Sequence, residues 1–185
     1  MAYCEWLVKL NGRKIRLPTE AEWEYACCVG DQRTYPWGND FPPKEIVGNF
    51  ADEAAAQRFG KQPGLLDGYD DGHAYCGPIG SYEQNPWGLH DMGGNASEWC
   101  QDWYTDSLPG GNVTDPIGPQ EKDAKRLETG VKLRVVKGPS CLTGAADTLR
   151  CTRRFGIPAD YKVGDGTSFL STELTNAFRI VVEII

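Results

Sequence analysis

The apolar positions predict helices at the start of the chain, strands near its end, and little regularity between. In AYCEWLVKL (2–10), Ala2, Trp6, Leu7 and Leu10 recur at helical spacing, and Asn11-Gly12 supplies a stop. Thr19 and Glu22 make the T-x-x-E pattern of a capping box, in which hydroxyl and carboxylate each satisfy an orphan backbone N–H. The helix it starts is expected over 20–28, with Trp23, Ala26 and Cys27 on one face and an end near Gly30. A short helix is expected within FADEAAAQRF (50–59), a brief strand at 79–82, and clear strands at 134–137 and 177–184. The stretch from Tyr35 to Gly80 otherwise dissolves into turns such as YPWGND, KQPG and LDGYDDG. Residues 105–130 read as a polar surface excursion, and 138–176 as a long loop-built face.

Composition narrows the function classes. Hydrophobic residues at 40% and charged residues at 24% fit a folded domain, and 185 residues suffice for one core. No repeat or composition break divides the chain, so one domain over 1–185 is expected. A net charge of −7, with Lys and Arg forming no run, argues against a nucleic-acid partner. No stretch reaches the ~20 apolar residues of a membrane helix. Cys4, Glu5 and Trp6 make a poor signal peptide, so the chain as written is expected in the cytoplasm. The seven Cys include no CxxC, which removes support for a zinc ribbon or a thioredoxin motif; they read mostly as buried thiols in a reduced compartment.

The candidate chemistry is concentrated in NPWGLHDMGGNASEWCQDW (85–103). Asp91, Asn95 and Glu98 flank Gly93-Gly94, which lets the backbone turn tightly enough to aim carbonyl oxygens inward. Carboxylates, amides and carbonyls suit calcium, which takes 6–8 oxygens; the same residues also suit a turn whose carboxylates accept backbone N–H groups. The acidic turn at 67–72 lacks EF-hand spacing. His73 and His90, the two histidines, are not at metal-pair spacing, and no Ser sits in a nucleophile elbow.

Six segments occur in an informative order: RLPTEAEWEYAC (16–27), YPWGN (35–39), DDG (70–72), PWGLHDMGGNASEWCQDW (86–103), RVVKGPS (134–140) and FRIV (178–181). Together they resemble the formylglycine-generating enzyme (sulfatase-modifying factor) family, with its many bacterial members. The resemblance implies an α+β, loop-rich variant of the C-type-lectin fold, with two short N-terminal helices and a small antiparallel sheet. Family members usually carry a further segment before the counterpart of AYCEWL. Two structural calcium sites are implied. The first would use the Asn49 and Asp71 side chains with the Phe50 and His73 carbonyls; the second, Asp91 and Glu98 with the Gly94 and Ala96 carbonyls.

The resemblance also bears on activity. Catalytic members bind copper(I) through two cysteines spaced CxxxxC after a GGS turn, where soft thiolates suit that ion. Here the turn reads GPSC (138–141), Thr143 and Ala146 fall near the family cysteine positions, and Cys141 and Cys151 remain ten apart. The expectation is therefore a non-catalytic module for a protein or peptide ligand, similar to the family's variable binding proteins. Its face would lie in 138–176 and include Phe155, Ile157, Tyr161, Phe169 and Leu170. The alternative is a copper-dependent oxidase that makes formylglycine on a sulfatase-type peptide, using Cys141 and Cys151.

Overall fold

The first helix, α1 (Ala2–Asn11), forms where the periodicity predicts but turns a different face inward. Cys4 is buried and Leu7 and Val8 are partly so, packed with Ile15, Leu17 and Trp99. Trp6 and Leu10 stay 53% and 64% exposed. Apolar residues occupy two faces of this helix, and the face continuous with Ile15 and Leu17 takes the core. The second helix, α2 (Glu20–Cys27), starts at the expected capping box: Glu22 N–H donates to Thr19 Oγ1 at 3.0 Å, and Thr19 N–H donates to Glu22 Oε2 at 2.8 Å. Its buried Trp23 and Cys27 pack with Met92, Cys100, Val135 and Cys151. A third helix, α3 (Glu53–Phe59), is capped by Asp52, which accepts from Ala55 N–H at 3.2 Å.

The computed structural model describes residues 2–108, 110–160 and 176–183. Within them the strands are β1 (Ile15–Arg16), β2 (Ser97–Trp103), β3 (Leu133–Lys137), β4 (Arg154–Pro158), β5 (Asn176–Ala177) and β6 (Val181–Val182). The main sheet has the order β4-β3-β2-β5, antiparallel except for the parallel β2–β5 pair, while β1 and β6 form a separate antiparallel ribbon. The fold is α+β, with a mixed main sheet rather than a wholly antiparallel one.

Three strand expectations are corrected. Residues 79–82 form turn and bend, with Ile79 94% exposed. The strand expected over 177–184 is interrupted at 178–180, so that its two ends serve different sheets. The 138–176 region contains β4, paired residue for residue with β3 from Leu133↔Pro158 to Lys137↔Arg154. Strand β2 escapes a hydrophobicity reading because its alternation is inverted. Glu98, Cys100 and Asp102 point inward and are buried, while Trp99, Gln101 and Trp103 are half-buried.

A second cluster holds the loop half of the molecule: buried Tyr35, Phe50, Leu66, Tyr69 and Leu149, with Trp37 and Val47 packed against them. Aromatic rings bury much area where no regular element is available, and their polar tips bond the loops. The Tyr69 hydroxyl donates to Gly48 O at 2.6 Å and accepts from the N–H groups of Val47 and Gly48. Among the described residues, no helix is long and apolar enough to cross a membrane.

Candidate functional site

Two loops meet at Asn49 and Gly94. A Cβ on Gly94 would lie 2.5 Å from Asn49 O, and one on Gly48 would lie 2.6 Å from Gly93 O, so both positions need glycine for the backbones to touch. Asn95, at φ 67°, donates its N–H to Asn49 O at 2.9 Å. This contact fixes the loop after Val47 against the turn that opens β2.

Of the first implied calcium set, the structure brings the loops that carry Asn49 and Asp71 together. Both carboxylate oxygens of Asp71 accept backbone N–H groups at 2.9 Å, one from Phe50 and one from His73. Asn49 is fully buried; its amide nitrogen donates to Tyr75 O at 2.7 Å, and its Oδ1 has no hydrogen-bond partner among the described residues. An unsatisfied buried amide oxygen is costly, and a cation is one of the few groups that would satisfy it here. Burial, with the Asp52 carboxylate nearby, pushes the Asp71 carboxyl up to about 6. Asp52, itself fully buried, accepts the Asp71 N–H at 2.7 Å. Buried carboxylates beside an unpartnered amide oxygen have the chemistry a hard divalent ion prefers, while both Asp71 oxygens also serve as acceptors for loop N–H groups.

The second set fits less well. Asp91, at φ 57°, accepts from Gly80 N–H at 2.8 Å through Oδ2, and its Oδ1 is buried without a partner among the described residues. Gly94 O already accepts from Ala96 N–H at 2.9 Å. Glu98 is held by Trp23 Nε1 at 2.7 Å and by Arg179, whose Nη2 donates at 2.5 Å and whose Nε reaches the other carboxylate oxygen. The guanidinium thus supplies the positive charge beside Glu98, and a cation there would have to displace it. Among the described residues, no group of three His, Cys, Asp or Glu side chains converges as a metal cluster. The resemblance would instead have the first set use an amide and two carbonyls beside one carboxylate.

The cysteines separate into different neighbourhoods. Cys141 Sγ lies 3.3 Å from Cys76 Sγ, whereas Cys151 packs with Cys27 and Cys28 between α2 and the sheet. Cys141 and Cys151 therefore face different partners, and the pair proposed for copper does not fit a shared ion. The Thr143 hydroxyl accepts from Ser140 N–H and donates to Ser140 O, both at 2.9 Å, closing a local turn. Ala146 offers no donor atom on its side chain.

In the candidate binding face, Phe155 is partly exposed on β4 with the Arg153 guanidinium 4.9 Å above its ring, while Ile157 is buried at 7%. Tyr161, Phe169 and Leu170 lie outside the described residues. Sequence reasoning overlooks Cys76, which it groups with the buried thiols and which is exposed. Its partner is 65 residues away, and no local spacing signals such a contact.

The sulfatase-modifying factor enzyme 1-like domain family matches residues 1–165. The formylglycine-generating enzyme of Mus musculus is 36% identical over 157 residues, which is 83% of this chain but only 36% of that enzyme, so the chain spans about a third of its relative. PvdO from Pseudomonas aeruginosa shares the fold, with a TM-score of 0.71 at 22% identity over 99% of this chain and 58% of that one. Treponema denticola variable protein 1 matches with a TM-score of 0.57 at 25% identity, over 79% of this chain and 43% of that one. On the motifs, the fold and these matches, the chain belongs to the formylglycine-generating enzyme (sulfatase-modifying factor) family.

Proposed function

We propose that the chain is a non-catalytic binding module on a calcium-stabilised scaffold, taking a protein or peptide ligand on the loops after Gly138. The support for this reading is the pair of side chains, Thr143 and Ala146, that the resemblance sets near the family cysteine positions. Thr143 spends its hydroxyl on Ser140. A hydroxyl and a methyl do not supply the soft thiolates that copper(I) requires. Phe155 beneath Arg153, next to a loop-rich stretch, offers an aromatic and a cation of the kind that anchors protein ligands. The likeness to a variable protein supports a binding role on this fold.

Calcium is the cofactor of this reading. Asn49, Asp71 and the carbonyls of Phe50 and His73 would hold it, and its role would be to lock the 47–50 loop to the 70–75 loop. The competing reading is a copper-dependent oxidase, and one assay separates the two. The reduced chain is loaded with copper(I) in the presence of calcium, then incubated under oxygen with a sulfatase-type cysteine peptide. Mass spectrometry should find the peptide thiol unchanged, while a formylglycine-generating enzyme run alongside converts it to the aldehyde. Conversion of the peptide by this chain would overturn the non-catalytic reading.

A further inference from the structure

Cys76 is held in a frame, not on an unanchored loop. Asn49 Nδ2 donates to Tyr75 O at 2.7 Å on one side of it, and Asn95 Nδ2 donates to Gly77 O at 3.3 Å on the other. The Cys76 thiol is within 3.2 Å of Asn95 O, and the same carbonyl accepts the Cys141 N–H at 2.9 Å. One peptide oxygen thus positions both cysteines, and their sulfurs lie 3.3 Å apart. That is a little over an ångström longer than the ~2.05 Å of a disulfide bond. Cys76 is exposed, whereas Cys141 is 1% exposed.

We propose that Cys76 and Cys141 form a two-electron redox site that low-molecular-weight disulfides oxidise to an intramolecular disulfide. The exposed Cys76 thiolate attacks one sulfur of the small disulfide, and the distal sulfur leaves as a thiol once protonated. The product is a mixed disulfide on Cys76. Cys141 then gives up its proton and attacks the Cys76 sulfur, forming the internal bond and releasing the second small thiol. Two protein thiols are oxidised and one external disulfide is reduced to two thiols, so electrons and protons balance.

Asymmetry between the two thiols favours this order of events. A hydrogen bond from Cys141 draws the Cys76 thiol down to about 7, while that same bond and burial push Cys141 up. An exposed thiol with thiolate character beside a buried thiol is the arrangement in which one cysteine attacks and the other resolves. The remaining cysteines are poor competitors. Cys4, Cys27, Cys28, Cys100 and Cys151 are all buried, and burial pushes Cys28 up to about 12 and Cys100 higher. The bond would fasten the 73–80 loop to the turn after β3, next to the loops assigned to ligand binding.

The test is oxidation of the reduced, folded chain with glutathione disulfide, followed by alkylation and peptide mapping. The first product expected is a Cys76–Cys141 cross-link, with the other five cysteines still alkylated. Cys141→Ser should stop at a glutathione adduct on Cys76, and Cys76→Ser should leave Cys141 unmodified over the same interval. Circular dichroism of each variant confirms folding, and the wild-type map stands without them. First reaction at any of the other five cysteines, or a stable adduct on Cys76 in the wild type, would overturn the proposal.

Discussion

The Lys137 ammonium has no exposed surface on its side chain and lies 2.7 Å from Glu24 Oε2, whose side chain is 36% exposed. The Trp23 ring centroid lies 5.7 Å from the same ammonium. The two partners therefore depend on each other unequally. Without Glu24 the cation stays buried with no counter-charge, whereas without Lys137 the carboxylate still reaches water. Glu24→Ala should cost roughly 3 kcal/mol, and Lys137→Met about 1 kcal/mol or less. Urea unfolding of the two variants checks the order; a larger loss for Lys137→Met would contradict the unequal dependence.

Asp102 predicts how part of the stability depends on pH. It is 3% exposed, and burial pushes its carboxyl up to about 6 from 3.8, against the opposing hydrogen bond from Glu20 N–H at 2.8 Å. The folded state then binds this proton more tightly than the unfolded state. Stability from this group is greatest below 3.8 and falls as pH rises through about 6. Glu22 acts in the opposite sense. Its hydrogen bonds with Arg16 hold it down at about 2, so its contribution is present above 4.5 and is lost as pH falls through about 2. Asp102→Asn should flatten the decline between pH 4 and 7 by up to about 3 kcal/mol. An unchanged slope in paired melts at the two pH values would refute this assignment.

Gly144 tests the packing beside Thr143. A Cβ there would lie 2.5 Å from Ala51 O, 2.7 Å from Leu66 N and 2.8 Å from Gly64 O, all of them backbone atoms that cannot rotate away. Gly144→Ala should cost about 1–3 kcal/mol. Gly110→Ala, where nothing lies within 4 Å, should stay within about 0.5 kcal/mol of wild type. Equal thermal shifts for the two would mean that the 144 turn is looser than described.

Local signals were the legible part of the sequence. The Thr19 capping box, the Trp23–Cys27 face and β3 depend on residues a few positions apart, and each forms as the pattern predicts. The inward face of β2 was hidden because its core positions are Glu98, paired with Arg179, Asp102, hydrogen-bonded by Glu20 N–H, and Cys100, which is simply packed. The candidate cation loop was partly legible: the resemblance named Asn49 and Asp71, and the structure brings their loops together through Phe50 N–H and Tyr75 O. The engagement of Glu98 by Arg179 spans 81 positions and the Cys76–Cys141 contact 65, so neither leaves a local trace.

Thermal melting of the reduced chain in calcium and in chelator tests the calcium-stabilised scaffold most directly. A cation held by Asn49, Asp71 and the Phe50 and His73 carbonyls binds the folded state alone. It should stabilise by about 2.7 kcal/mol at a hundredfold excess over its Kd. The melting temperature should rise with calcium in the wild type, and this rise should be lost in Asn49→Leu, which removes the unpartnered oxygen. Identical wild-type melting in chelator and in millimolar calcium would contradict the scaffold.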